Sequence, residues 1–307
     1  MKAICISESA AGATLVEKEL PRPRAAAGEV TIRVRAAGVT PTELGWYPTS
    51  HDRNGGARTG AVPSHEYSGE IAETGAGVTG LAEGDEVFGM NDWFADGALA
   101  EYCVTRPEWI AAKPRRFSYD EAATVPIGAL TAWQGLFERA KVEPGERVLI
   151  HGGAGAVGVF AVQLAHQRGA RVTATVSGGN VEFVKGIGAE HAIDYRTARF
   201  EDEGRVFDVV FDAVGGETLR RSWAVLKPNG RMVTIASDGS ASEDERVKRA
   251  FFIVEAKRQQ LEEVARLLDG GELRTFVDVV APFAKAAEAY TGALPRTGRG
   301  KVVVAVG

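Results

Sequence analysis

The chain has 307 residues, 45% hydrophobic, 25% charged and 8% aromatic, which suits two globular domains and leaves no room for a disordered or fibrous reading. Its 36 Lys and Arg against 41 Asp and Glu give a net charge of −5 without a basic tract, which argues against nucleic acid as the main partner. Cys5 and Cys103 form neither a CxxC pair nor a disulfide framework, the first residues lack the apolar core of a signal peptide, and no apolar run approaches the ~18 residues that span a membrane. A cytoplasmic protein free of the membrane is expected.

In chain order, the first hundred residues read as short strands broken by Gly, Pro and charged turns, over 29–37, 69–74, 86–88 and 100–105. From about Tyr119 the texture changes to alternating helix and strand. The pattern predicts a helix over 121–140, a strand at 148–150, a helix carrying Val157, Phe160, Ala161, Leu164 and Ala165, and a β-branched strand at 171–176. It continues with a helix over 180–187, strands at 191–194 and 206–211, a helix over 217–226 and a strand at 231–236, the order of a doubly wound parallel sheet. The polar stretch 237–245 reads as a loop between lobes. A helix over 259–269, a strand near 276–280, a helix over 284–290 and a closing strand at 301–306 are expected to rejoin the first lobe.

The most informative segment is His151-Gly152-Gly153-Ala154-Gly155-Ala156-Val157-Gly158, a GxGxxG turn at Gly153, Gly155 and Gly158 between an apolar strand and an amphipathic helix. Absent side chains let the backbone approach a pyrophosphate, and the free N–H groups of the helix start, from Ala156 and Val157 onward, favour an anion. An acidic residue about 20 residues further on would select NAD by binding its ribose 2′-hydroxyl. Here the second strand runs instead into Ser177-Gly178-Gly179-Asn180, small and neutral, so NADPH is the expected cofactor. Ser177 and Asn180 are the expected partners of its 2′-phosphate, with Tyr195, Lys185 and Arg196 as further candidates.

Other chemistries lack their residues. No Tyr is followed four positions later by Lys, as a short-chain dehydrogenase requires, and neither a G-x-S-x-G elbow nor a GxxxxGK[ST] loop occurs. Hydride transfer remains. The motifs Ala36-Ala37-Gly38-Val39-Thr40-Pro41, Pro63-Ser64-His65-Glu66-Tyr67-Ser68-Gly69, Gly84-Asp85-Glu86-Val87-Phe88-Gly89, Ala129-Leu130-Thr131-Ala132-Trp133, Leu226-Lys227-Pro228-Asn229-Gly230-Arg231 and Gly300-Lys301-Val302-Val303 add to the turn. Together they resemble the zinc-independent quinone oxidoreductase branch of the medium-chain dehydrogenase/reductases, nearly end to end.

The resemblance implies an α/β fold with a GroES-like β-barrel catalytic domain, residues 1–117 and 258–307, and a Rossmann NADPH-binding domain, residues 118–257. By the same resemblance Thr131, Val214, Ala236, Phe252 and Lys301 join the cofactor-binding residues, and the protein is a homodimer joined through edge strands near 232–235 or 251–254. Zinc-dependent members carry a Cys where this chain has Thr40, and a Gly before the histidine where it has Ser64. Only His65 remains of that ligand set, with Glu66 and Glu43 as the nearest alternatives, so no metal is expected. Without zinc, positioning and hydrogen bonds must serve, which suits quinones and α,β-unsaturated carbonyls. Tyr47 and Thr40 are the candidate catalytic residues, and Trp46, Phe88, Met90 and Trp93 a candidate apolar wall. The competing readings are a packed Tyr47, a non-catalytic NADPH-binding sensor, and a zinc-dependent alcohol dehydrogenase.

Overall fold

The computed structural model describes residues 1–9, 12–236 and 242–307. Strands β1 (Lys2–Ser9) and β2 (Gly12–Glu19) form a separate antiparallel pair, which the sequence reading did not assign. Ala3 bridges Ala100, so this pair is fastened to the barrel. Strands β3 (Val30–Gly38), β4 (Glu66–Thr74), β5 (Glu86–Met90), β6 (Tyr102–Thr105) and β7 (Ile110–Ala112) build the first lobe.

The predicted long helix over 121–140 is broken. A helix at Tyr119–Ala123, opened by a capping box at Ser118 and Glu121, ends before Val125-Pro126. Pro126 cannot donate to the preceding turn and instead starts a second helix, Pro126–Trp133. That helix then widens, with the Ala140 N–H donating to the Gly135 carbonyl.

A parallel sheet follows from β8 (Arg147–His151), β9 (Arg171–Val176), β10 (His191–Asp194), β11 (Phe207–Asp212) and β12 (Leu226–Thr234), in the order β10-β9-β8-β11-β12. Val148 and Ile150 pack on one face with Val209 and Phe211, whereas Leu149 packs on the other with Phe207 and Val210. Both faces are covered, as parallel sheets require. Beyond β12 a parallel bridge from Thr234 to Phe251 extends the sheet at the backbone level. Residues 237–241 of the predicted loop lie outside the described residues, and its last residue, Glu245, instead opens a helix capped by Asp244.

After the helix Arg258–Asp269, the chain returns to the first lobe through β13 (Val277–Pro282) and β14 (Lys301–Ala305). β14 pairs with β3, and β13 forms the edge of a seven-stranded sheet. The architecture is an α/β fold of a GroES-like barrel and a Rossmann-type sheet. No helix among the described residues is long and apolar enough to cross a membrane.

Candidate active site

The strand order reverses at β8, which lies between β9 and β11, and the crevice at this switch point is the natural ligand position in such a sheet. The glycine-rich turn leaves β8 there. A Cβ on Gly158 would stand 2.0 Å from the Gly152 carbonyl oxygen, so only glycine closes the turn onto the helix Gly158–Gln167. The N–H groups of Ala156 and Val157 meet no acceptor among the described residues and are free for an anion.

The turn is anchored from below by His151. Its Nδ1 bonds the Thr175 hydroxyl at 3.0 Å and its Nε2 the Ser222 hydroxyl at 2.9 Å. Ser222 already donates to the Thr218 carbonyl, so Nε2 carries the proton and Nδ1 accepts. Burial, helped by the nearby Arg221 charge, pushes the imidazole down to about 3. Asp212 does the same work at the end of β11, accepting from the Val214 and Gly215 N–H groups and the Thr234 hydroxyl.

Ser177, Tyr195, Val214 and Ala236 follow the C-terminal ends of the parallel strands, on the side of the crevice. Ser177 follows β9 and accepts a 3.3 Å bond from the Asn180 amide. Tyr195 and Val214 stand exposed after β10 and β11. Ala236 follows β12, its N–H donating to the Thr234 hydroxyl. Thr131 is buried in the helix Pro126–Trp133. Phe252 is buried and packs in the main core. Lys185 pairs with Glu182, and Arg196 lies beside the Tyr195 ring.

Arg299 was missed by the sequence reading. Its Nε donates to Asn180 Oδ1 at 2.9 Å, its Nη2 to the Gly179 carbonyl at 3.0 Å, and it lies over the Phe183 ring. A cation thus reaches from the segment before β14 to the loop after β9. Asp194, also unremarked, stands beside Gly178, where a Cβ would lie 2.5 Å from its Oδ2.

Across the crevice the barrel contributes a buried polar cluster. Glu43 accepts from His65 Nδ1 at 2.7 Å, from the Ser64 N–H at 2.9 Å and from the Tyr290 hydroxyl at 2.5 Å. Burial and the adjacent carboxylate keep the Tyr290 phenol protonated. Ser64 adopts φ 71°, a left-handed conformation costing about 1 kcal/mol outside glycine, and its hydroxyl bond to the Gly38 carbonyl at 2.6 Å helps hold it there. Glu66 accepts from the Ile127 N–H at 2.8 Å and pairs closely with Lys301, whose ammonium also donates to the Thr40 hydroxyl at 3.2 Å.

Tyr47 opens a short helix, Tyr47–Ser50, with its ring exposed and stacked on His51 at 4.3 Å. Trp46 and Trp93 meet edge to face, and Trp93 Nε1 donates to the Val254 carbonyl of the other lobe. Phe88 and Met90 are fully buried, so the candidate apolar wall reduces to the two tryptophans.

Comparison with known proteins fits this arrangement. The family described as alcohol dehydrogenase GroES-like domain matches residues 26–115, and that described as zinc-binding dehydrogenase matches residues 187–304. The chain is 31% identical over 312 residues to a probable zinc-binding oxidoreductase of Arthroderma benhamiae, across 95% of this chain and 93% of the relative. The chain belongs to the medium-chain dehydrogenase/reductase superfamily. It is also 33% identical over 305 residues to the 2-methylene-furan-3-one reductase of Solanum lycopersicum, across 94% of this chain and 74% of the relative. The quinone oxidoreductase structure from Coxiella burnetii superposes with a TM-score of 0.89 at 28% identity, covering 100% of this chain and 99% of that one.

As a medium-chain oxidoreductase the chain uses a nicotinamide cofactor, and the side-chain-free turn with its unpaired N–H groups fits one. A catalytic zinc fits poorly. Thr40 offers only a hydroxyl, His65 has Nδ1 on Glu43 and Nε2 3.2 Å from the Ala95 carbonyl, and Glu66 is already paired with an ammonium. No group of three His, Cys, Asp or Glu among the described residues is arranged to hold a metal.

Proposed function

We propose that this oxidoreductase is an NADPH-dependent, zinc-independent reductase of quinones and α,β-unsaturated carbonyls. The observation carrying the reading is the Thr40 hydroxyl, held by Lys301 at the position where zinc-dependent members place a ligand cysteine. When bound, the cofactor supplies a hydride. The chain's task is then to hold both partners and to polarise the acceptor without a Lewis acid.

The Gly153-to-Gly158 turn receives the pyrophosphate, while Ser177, Asn180 and Arg299 receive the 2′-phosphate, so NADPH binds at least roughly tenfold tighter than NADH. Trp46 and Trp93 form the apolar side of the substrate cleft, and the exposed Tyr47 hydroxyl polarises the carbonyl. An acceptor that spreads the incoming charge over a conjugated oxygen needs no more than this. The methylene-furanone named for the tomato relative is such an acceptor.

The same reading divides the chain into a catalytic domain, residues 1–117 and 258–307, and a cofactor domain, residues 118–257, and places the protein in the cytoplasm as a homodimer. The test is NADPH oxidation with 9,10-phenanthrenequinone and a short enone. Steady turnover is expected. Tight NADPH binding without turnover of any quinone, enal or enone would replace the reductase with a cofactor-binding sensor.

A further inference from the structure

Lys301 is only 4% exposed, and its three polar neighbours are not equivalent. Glu66 is wholly buried and fixed by the Ile127 N–H at the start of the helix Pro126–Trp133, so it serves as a stationary counter-charge. Glu43, the next carboxylate, is occupied by His65, Ser64 and Tyr290. The Thr40 hydroxyl is the exception, because Thr40 is half-buried at the end of β3 and Lys301 uses only its acceptor side. Its own O–H is left to donate outward.

The surroundings place this path at the cofactor crevice. Gly300, one residue before Lys301, bridges Gly155 of the nucleotide turn, and its N–H donates to the Ala154 carbonyl at 2.8 Å. The buried ammonium that donates to the Thr40 hydroxyl is thus carried by the residue next to the one that meets the nucleotide turn.

We propose that Lys301 is the proton reservoir of the reductase, acting as a positioning residue that passes a proton through the Thr40 hydroxyl to the α-carbon of a reduced enone. The proposal rests on the reductase reading above. The hydride forms a C–H bond at the β-carbon, and the C=C π pair moves to give an enolate. The enolate α-carbon then takes the Thr40 proton while Thr40 takes one from the Lys301 ammonium. Lys301 is left as a neutral amine beside Glu66. Water entering after product release returns the proton by the same hydroxyl.

Burial pulls the Lys301 ammonium down to about 8, partly opposed by Glu43, which brings proton release within the working range. A lysine ending at Glu66 alone would only be a structural ion pair. The contact with Thr40 gives it an exit.

The experiment compares the wild-type protein with Thr40→Val, which keeps the Lys301–Glu66 pair, and with Thr40→Ser, which keeps the hydroxyl. An α-substituted enone is reduced with NADPH in D2O, and the face of deuterium addition at the α-carbon is read by NMR alongside the pH profile of kcat. Separately, the 13Cε resonance of Lys301 is titrated in the cofactor-free protein. Wild type and Thr40→Ser are expected to deuterate one face, with kcat falling above roughly pH 8. Thr40→Val is expected to lose facial selectivity and the alkaline limb together and to slow by about 10²-fold or more. Lys301 is expected to titrate near pH 8 in the cofactor-free protein. Unchanged selectivity and pH profile in Thr40→Val, or a Lys301 resonance that titrates only near the ordinary lysine value, would overturn the relay while leaving the reductase standing. No turnover of any enone or quinone by wild type would overturn both.

Discussion

Replacing Arg299 with alanine tests the cofactor assignment at its most specific point. The guanidinium is already held by Asn180 Oδ1 and the Gly179 carbonyl, so a bound 2′-phosphate would meet a cation whose ordering cost has been met within the protein. A charge-assisted hydrogen bond contributes about 1.5–3 kcal/mol, and the exposure of Arg299 moves the expectation to the lower end, roughly 1–2 kcal/mol. NADPH affinity should therefore fall about 5- to 30-fold, whereas NADH, with no phosphate there, should change less than roughly twofold. Calorimetric titration of both cofactors at low and high salt measures this, and the NADPH loss should shrink as salt screens the pair. An equal loss for both cofactors would show that Arg299 acts only by bracing the loop after β9. No loss for either would remove it from the site.

Further outcomes are expected of the same protein. Tyr47→Phe should lower kcat for an enone by about 10- to 1000-fold, and for a quinone by less, with NADPH affinity hardly changed; kcat within twofold for both would leave Tyr47 a ring stacked on His51. Purified protein should contain no stoichiometric zinc and keep its activity in a strong chelator, and one zinc per chain lost together with activity would contradict the reading of Thr40 and Lys301. Because His151 is depressed to about 3, the unfolded chain binds its proton first, so stability is lost as pH falls from about 6.5 toward 3. Between pH 7 and 5 this amounts to roughly 2 kcal/mol, measurable by urea unfolding as a steeper acid loss in wild type than in His151→Gln, and equal losses would refute it. Light scattering at micromolar concentration should give a homodimer, with the exposed Ile253 beside the sheet edge as a candidate contact, and a monomer would refute it.

What the sequence disclosed follows from how far apart the interacting residues are. The GxGxxG turn was legible because its strand, its helix and the next strand lie within a single βαβ unit. The break at Pro126 was also written in the chain, but apolar periodicity on both sides obscured it. The strand β1 was overlooked because residues 3–6 are all buried, and a strand covered on both sides shows no alternation. The barrel cluster was out of reach, since Tyr290 lies 247 residues from the Glu43 carboxylate it serves. His65 bonds to Glu43 and lies 3.2 Å from the Ala95 carbonyl, partners 22 and 30 residues away that no local pattern points to.

The residues that close the chain explain why the most local signal and the least local one belong to a single site. Within three successive positions, Arg299 grips the loop after β9, Gly300 bridges Gly155 of the nucleotide turn, and Lys301 reaches Glu66 and Thr40 in the barrel. Gly300 has φ 76° and its position admits no side chain, because a Cβ there would lie 1.9 Å from the Phe276 carbonyl oxygen. Trp93 and Glu66 add further bonds between the barrel and the other lobe, through Val254 and Ile127. The two sides of the crevice are therefore set by one strand entry, not by independent loops. On the reading proposed above, Arg299, assigned to the 2′-phosphate, and Lys301, which holds the Thr40 hydroxyl, are separated by a single glycine, so cofactor recognition and the position of that hydroxyl would share one backbone constraint.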